Sequence, residues 1–75
     1  MTPADLKSTR EALGLSQAEF ARLIGMRAAN SDDTVRRWEA GRVAVPGTVE
    51  ALLFLIETVP AARWALERRA LERRR

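Results

Sequence analysis

Seventy-five residues, 47% hydrophobic and 31% charged, suit one small folded domain and not a disordered chain. The absence of Cys and His excludes disulfides, zinc fingers, most transition-metal sites and the usual nucleophile–base pairs of hydrolases, so no enzyme, metal or cofactor is expected. The net charge of +3 is unevenly placed: residues 1–60 hold seven Lys/Arg against eight Asp/Glu, and residues 61–75 hold six Arg against two Glu.

The chain opens with a helix predicted over 3–13. Thr2 can cap it, Pro3 suits the first helical position, and Asp5 sits near the positive end of the dipole. Leu6, Arg10 and Leu13 share one face by their i, i+4, i+7 spacing, and Gly14 ends the helix. A second helix, 17–24, starts at once: Ser16 with Glu19 three residues on is a capping box. Its apolar stripe is Phe20, Leu23 and Ile24, and Gly25 is its stop.

After the connector "MRAANS" (26–31), a third helix is expected over 32–40, with Ser31 as cap and Gly41 as stop. Val35, Trp38 and Glu39 fall on its inner side, leaving Thr34, Arg37 and the two aspartates elsewhere. The fourth helix, 47–58, contains "ALLFLI" (51–56), which is apolar all round and must be covered on more than one side. Val59-Pro60 breaks it, because the residue before proline is pushed out of the helical region. A fifth helix follows over 61–73, opened by Pro60, with Ala61, Trp64, Ala65 and Leu71 as a modest apolar stripe. No strand-like alternation, repeat or long linker occurs. The fold class is therefore all-α, one domain of five helices over 1–75: a core at 1–58 and a basic C-terminal helix within 59–75.

Two short helices joined by a brief connector, the second carrying exposed polar residues, describe a helix-turn-helix. "LGLSQAEFARLIG" followed by "TVRRWEAGRVAVPG" resembles the phage-repressor, Cro-like (XRE-family) class over residues 5 to 56. The connector here is longer than that family's usual turn, with the extra residues around Arg27 to Asn30. The resemblance implies that Asp32, Asp33, Thr34 and Arg37 face the major groove. It implies backbone contacts for Gln17, at the start of helix two, and for Arg36 and Arg42, with Arg27 and Asn30 of the lengthened connector grouped beside them.

Several side chains carry two readings. Asp32 and Asp33 either complement the helix dipole as first-turn anions, or one accepts a hydrogen bond from cytosine N4. Arg10 and Glu39 are either solvated surface charges or, as the resemblance favours, a partly buried ion pair between helix one and helix three. Trp38 and Trp64 could be stacking platforms for single-stranded nucleic acid, but core positions are expected for both. The tail "ERRALERRR" either contacts DNA or is a solvated helix end with pairs such as Arg68–Glu72.

The resemblance implies a sequence-specific double-stranded DNA-binding regulator, a homodimeric repressor of its own phage, plasmid or other mobile-element operon (for example of the anti-CRISPR-associated type) at an inverted repeat. The expected dimer interface includes Leu53, Phe54 and Trp64, because one chain this small cannot cover "ALLFLI" on all sides. The alternatives are an antitoxin, which adds a toxin partner, and a bare interaction module without DNA. The chain has no apolar run of about 18 residues and no basic segment leading into an apolar one. No membrane partner is expected, and a cytoplasmic location is.

Overall fold

A computed structural model describes residues 1–27 and 30–72. Five helices follow one another: α1 (Pro3–Ala12), α2 (Gln17–Leu23), α3 (Ser31–Glu39), α4 (Gly47–Thr58) and α5 (Pro60–Glu72). The last predicted residue of the fifth helix, Arg73, and the end of the Arg-rich tail lie outside the described residues, as does the middle of the connector, Ala28 and Ala29. Among the described residues there is no strand, and no helix is long and apolar enough to cross a membrane.

Local signals account for most of the boundaries. Thr2 and Asp5 form a reciprocal capping box at α1, and Ser16 and Glu19 form another at α2. Each box satisfies two backbone donors that a helix start leaves without partners. In both, the carboxyl lies below its ordinary range, because backbone and side-chain hydrogen bonds from the cap residue favour the charged form. Helices α1 and α2 end alike. Gly14 (φ 74°) and Gly25 (φ 92°) take the left-handed conformation, and the amides of Leu15 and Met26 reach back to the carbonyls of Arg10 and Ala21. Val59 is extended ahead of Pro60, which opens α5.

The start of α3 differs from the expectation. Ser31 is not its cap but its first residue, and it is buried. Its spacing explains why: Ser31, Val35 and Trp38 stand at i, i+4, i+7 and face the core together. Asn30 occupies the cap position without a side-chain hydrogen bond to the helix.

The core is Leu6 from α1, Phe20, Ala21 and Leu23 from α2, Val35 and Trp38 from α3, and Val49, Leu53 and Ile56 from α4. Helix α3 packs on α2 and α1, while α5 packs on α4 and α2. Leu53, expected at a dimer interface, is instead 1% exposed inside the chain, whereas its neighbours Phe54 and Leu55 stand out in solvent. The all-apolar segment of α4 is thus covered on one side only.

Helix α5 docks by a different face from the predicted stripe. Ala62, Arg63, Leu66 and Ala70 are partly buried, and Leu66 packs against the core. These positions share one helical face, and the two alanines on it leave little side-chain bulk against the neighbouring helices. Trp64 and Leu71 therefore point outward, 61% and 62% exposed. Trp64 is not a core residue; its ring carries the guanidinium of Arg68 at 5.1 Å, a cation–π contact, and Arg68 also reaches Glu72 at 3.8 Å. The docked face is pinned by Arg63, which donates to the carbonyl oxygen of Leu13 at 2.8 Å and to Glu67 at 2.7 Å. Leu13 is the C-cap residue just past α1, so an arginine from α5 supplies a donor to a carbonyl that the helix end leaves unmatched.

Candidate nucleic-acid interface

The pair α2–α3 presents a helix with two unlike faces. On the inner face of α3, Val35 and Trp38 are in the core, and Glu39 continues that face with a side chain only 6% exposed. A carboxylate so buried requires partners, and it has three hydrogen bonds. Arg10 donates Nε to Glu39 Oε2 at 2.6 Å and a terminal nitrogen to Oε1 at 3.1 Å, and Gln17 Nε2 donates to Oε1 at 3.1 Å. Arg10 also donates to the carbonyl oxygen of Leu15, in the turn between α1 and α2. One two-pronged contact therefore ties α1, that turn, the start of α2 and the end of α3 together, with the fork geometry that gives arginine–carboxylate pairs their direction.

Burial pushes the Glu39 carboxyl upward, but the hydrogen bonds from Arg10 and Gln17 and the charge of Arg10 outweigh it and hold the group below its ordinary value. The Arg10 guanidinium is correspondingly raised by its hydrogen bond to Glu39, against the cost of burial. A depressed carboxyl stabilises the fold fully above the unfolded-state value, about pH 4.3 for glutamate, and that contribution is lost as pH falls through the folded value. Glu39→Gln should therefore be less stable than the parent at neutral pH, with the gap narrowing below about pH 4.3. Chemical denaturation from pH 7 to pH 3 measures this; a gap that stays constant would show that Glu39 does not feel Arg10. The capping carboxyls of Asp5 and Glu19 are common to both proteins and cancel in the comparison.

The outer face of α3 is charged. Asp32, Arg36 and Arg37 are exposed, while Asp33 and Thr34 are partly buried. Asp33 is in ion-pair contact with both arginines: one carboxylate oxygen takes Arg36, and the other takes Arg37 at 3.1 Å. Arg27 and Asn30, ahead of α3, and Arg42, just after it, are also exposed. Asp32, Asp33, Thr34, Arg36 and Arg37 are thus brought together on one short helix, flanked by Arg27, Asn30 and Arg42 in the adjoining chain.

Gln17 is placed differently from a free surface side chain. It is partly buried, and its amide nitrogen is committed to Glu39. The sequence reading missed this tie, the double engagement of Asp33 and the bond from Arg63 to Leu13. The second was legible in principle, since aspartate followed by arginine at i+3 and i+4 is a pairing pattern. The other two join residues 22 and 50 apart, beyond the reach of any local signal.

The family model for the helix-turn-helix domain matches residues 4–66. That span includes the whole α2–α3 unit and runs past Pro60 into α5, further than the motif resemblance reached. No curated protein and no solved structure matches the chain.

Proposed function

The chain belongs to the helix-turn-helix domain family, and from that premise we propose that it is a sequence-specific regulator that binds double-stranded DNA as a homodimer and represses transcription from its own operon on a mobile element. The observation that carries this reading is the division of α3. Its inner face is locked to α1 and α2 by Val35, Trp38 and the Glu39 contacts, so its outer face, with Arg36 and Arg37, is offered on a rigid support. A recognition helix needs this combination, because base contacts must be held at a fixed register while phosphate contacts position the domain. Thr34 and Arg37 are assigned to base edges, with Arg27, Asn30, Arg36, Arg42 and the start of α2 at Gln17 assigned to the backbone.

Self-association is supported by the uncovered apolar side chains. Phe54 and Trp64 are each more than 60% exposed, and Leu55 and Val59 of the same α4–α5 region are exposed as well; association of two copies would remove such apolar side chains from water. A two-fold dimer would set two recognition helices in successive major grooves, roughly 34–36 Å apart. The test uses a duplex recovered by selection from a randomised pool. Inserting about 5 bp between its half-sites turns one half to the opposite face of the duplex, and binding should fall to the level of random DNA. Binding unchanged by the insertion would rule out the paired-half-site model.

A second reading, an antitoxin that also holds a protein partner, is favoured by one observation. Leu71 lies seven residues beyond Trp64 on α5 and is equally exposed, so a single dimer contact centred on Phe54 leaves apolar surface on that helix. A dimer in which Trp64 and Leu71 both become protected from solvent would count against this reading.

A further inference from the structure

We infer that Asp33 is the positioning residue of the recognition helix, holding the guanidinium of Arg37 in the orientation that reads a base edge while cancelling one of the two adjacent positive charges. This rests on the DNA-binding reading above and assigns a specific role within it.

The geometry is that of one anion and two cations on a single helical turn. Residues three and four apart on a helix are neighbours, and long helical side chains fold back toward the N-terminus. Arg36 and Arg37 both do so onto Asp33, each using a terminal guanidinium nitrogen on a different carboxylate oxygen. An arginine has five N–H donors in a rigid fork, so one nitrogen tied to Asp33 leaves donors for an outside acceptor. Both arginine side chains remain more than 60% exposed, against 31% for Asp33. The fork is thus tethered from behind and open in front.

Surface pairs of this kind contribute little to folding, so stability does not account for the arrangement. Two other consequences bear on DNA. A tethered arginine has fewer conformations to give up on binding, which favours the one acceptor pattern that matches its fixed direction. The carboxylate also reduces the pull of the cluster on any phosphate, the part of affinity that does not depend on sequence. Together these raise discrimination rather than affinity. Each oxygen faces a guanidinium, and in the role assigned here Asp33 acts through the arginines.

The chain contains its own control. Asp32 carries the same charge on the same turn, is exposed, and has no ion pair among the described residues. Asp32→Asn and Asp33→Asn therefore change the net charge alike, but only the second releases the arginines. Both should bind random duplex more tightly by similar factors. Asp33→Asn should lower the ratio of selected-site to random-duplex affinity by about 5-fold or more, the lower end of what one two-pronged base contact discriminates, and the lost preference should fall at the same base pair that Arg37→Ala flattens. Asp33→Glu, which retains a carboxylate, should recover most of that ratio. In the free proteins, side-chain NMR relaxation at Arg36 and Arg37 Nε should show added motion in Asp33→Asn and none in Asp32→Asn, at an unchanged thermal midpoint. A ratio in Asp33→Asn equal to the parent's, or arginine relaxation unchanged by it, would overturn the positioning role and leave the DNA reading standing. If the parent protein selects no sequence from the pool, both are overturned.

Discussion

Glu39→Ala is expected to lower the unfolding free energy by about 3 kcal/mol, the lower end of what breaking one side of a buried pair costs. The value is large because three donors converge on this carboxylate and lose their acceptor together: two from Arg10 and one from Gln17. The Arg10 side chain is itself only 12% exposed, so its charge would remain in a poorly hydrated position. For a domain whose total stability is about 5–15 kcal/mol, this is a substantial share. Arg10→Ala should cost a similar amount by orphaning Glu39. The double variant should lose clearly less than the sum, because the second truncation removes a group already without its partner. Urea denaturation of the four proteins measures the coupling. Additive losses would mean that the two side chains do not meet in solution, and the rigid mounting of α3 would lose its main polar element. The same variants should weaken DNA binding even where they remain folded, since the pair fixes α3, the proposed recognition helix, against α1 and α2.

Arg37→Ala is expected to cost about 1–3 kcal/mol on the selected duplex and much less on random DNA. Arg37 is six residues past Ser31, the first residue of α3, on its exposed face, where a fork can approach guanine O6 and N7 in the major groove. A contact to phosphate would behave otherwise: its loss weakens all sequences alike and reduces the salt dependence. A panel of single-base variants of the selected duplex separates the two. The preference at one base pair should flatten in Arg37→Ala, and a uniform loss across the panel would move Arg37 to the backbone.

Much of this molecule was legible in its sequence because the relevant interactions are short. Capping boxes at Thr2–Asp5 and Ser16–Glu19 act within one turn, and Gly14 and Gly25 act through their own backbone conformation. The inner face of α3 followed from spacing, and the Arg10–Glu39 pair from the family pattern. The boundary at Ser31 shifted by one residue because burial on the shared face with Val35 and Trp38 overrode its capping preference.

Tertiary structure decided where periodicity is silent. The segment "ALLFLI" is apolar on every side, so nothing in it says that Leu53 turns inward and Phe54 outward; the positions of the other helices do. Helix α5 had two usable faces, one with Trp64 and Leu71 and one with Ala62, Leu66 and Ala70. The alanine-bearing face docked and Arg63 found the unmatched carbonyl of Leu13, which leaves the tryptophan in solvent. Gln17 was drawn to Glu39 because a nearly buried carboxylate attracts whatever donors the fold places beside it. A sequence lists such donors, but it does not say which of them will be adjacent, since adjacency across 22 or 50 residues exists only after the chain has closed.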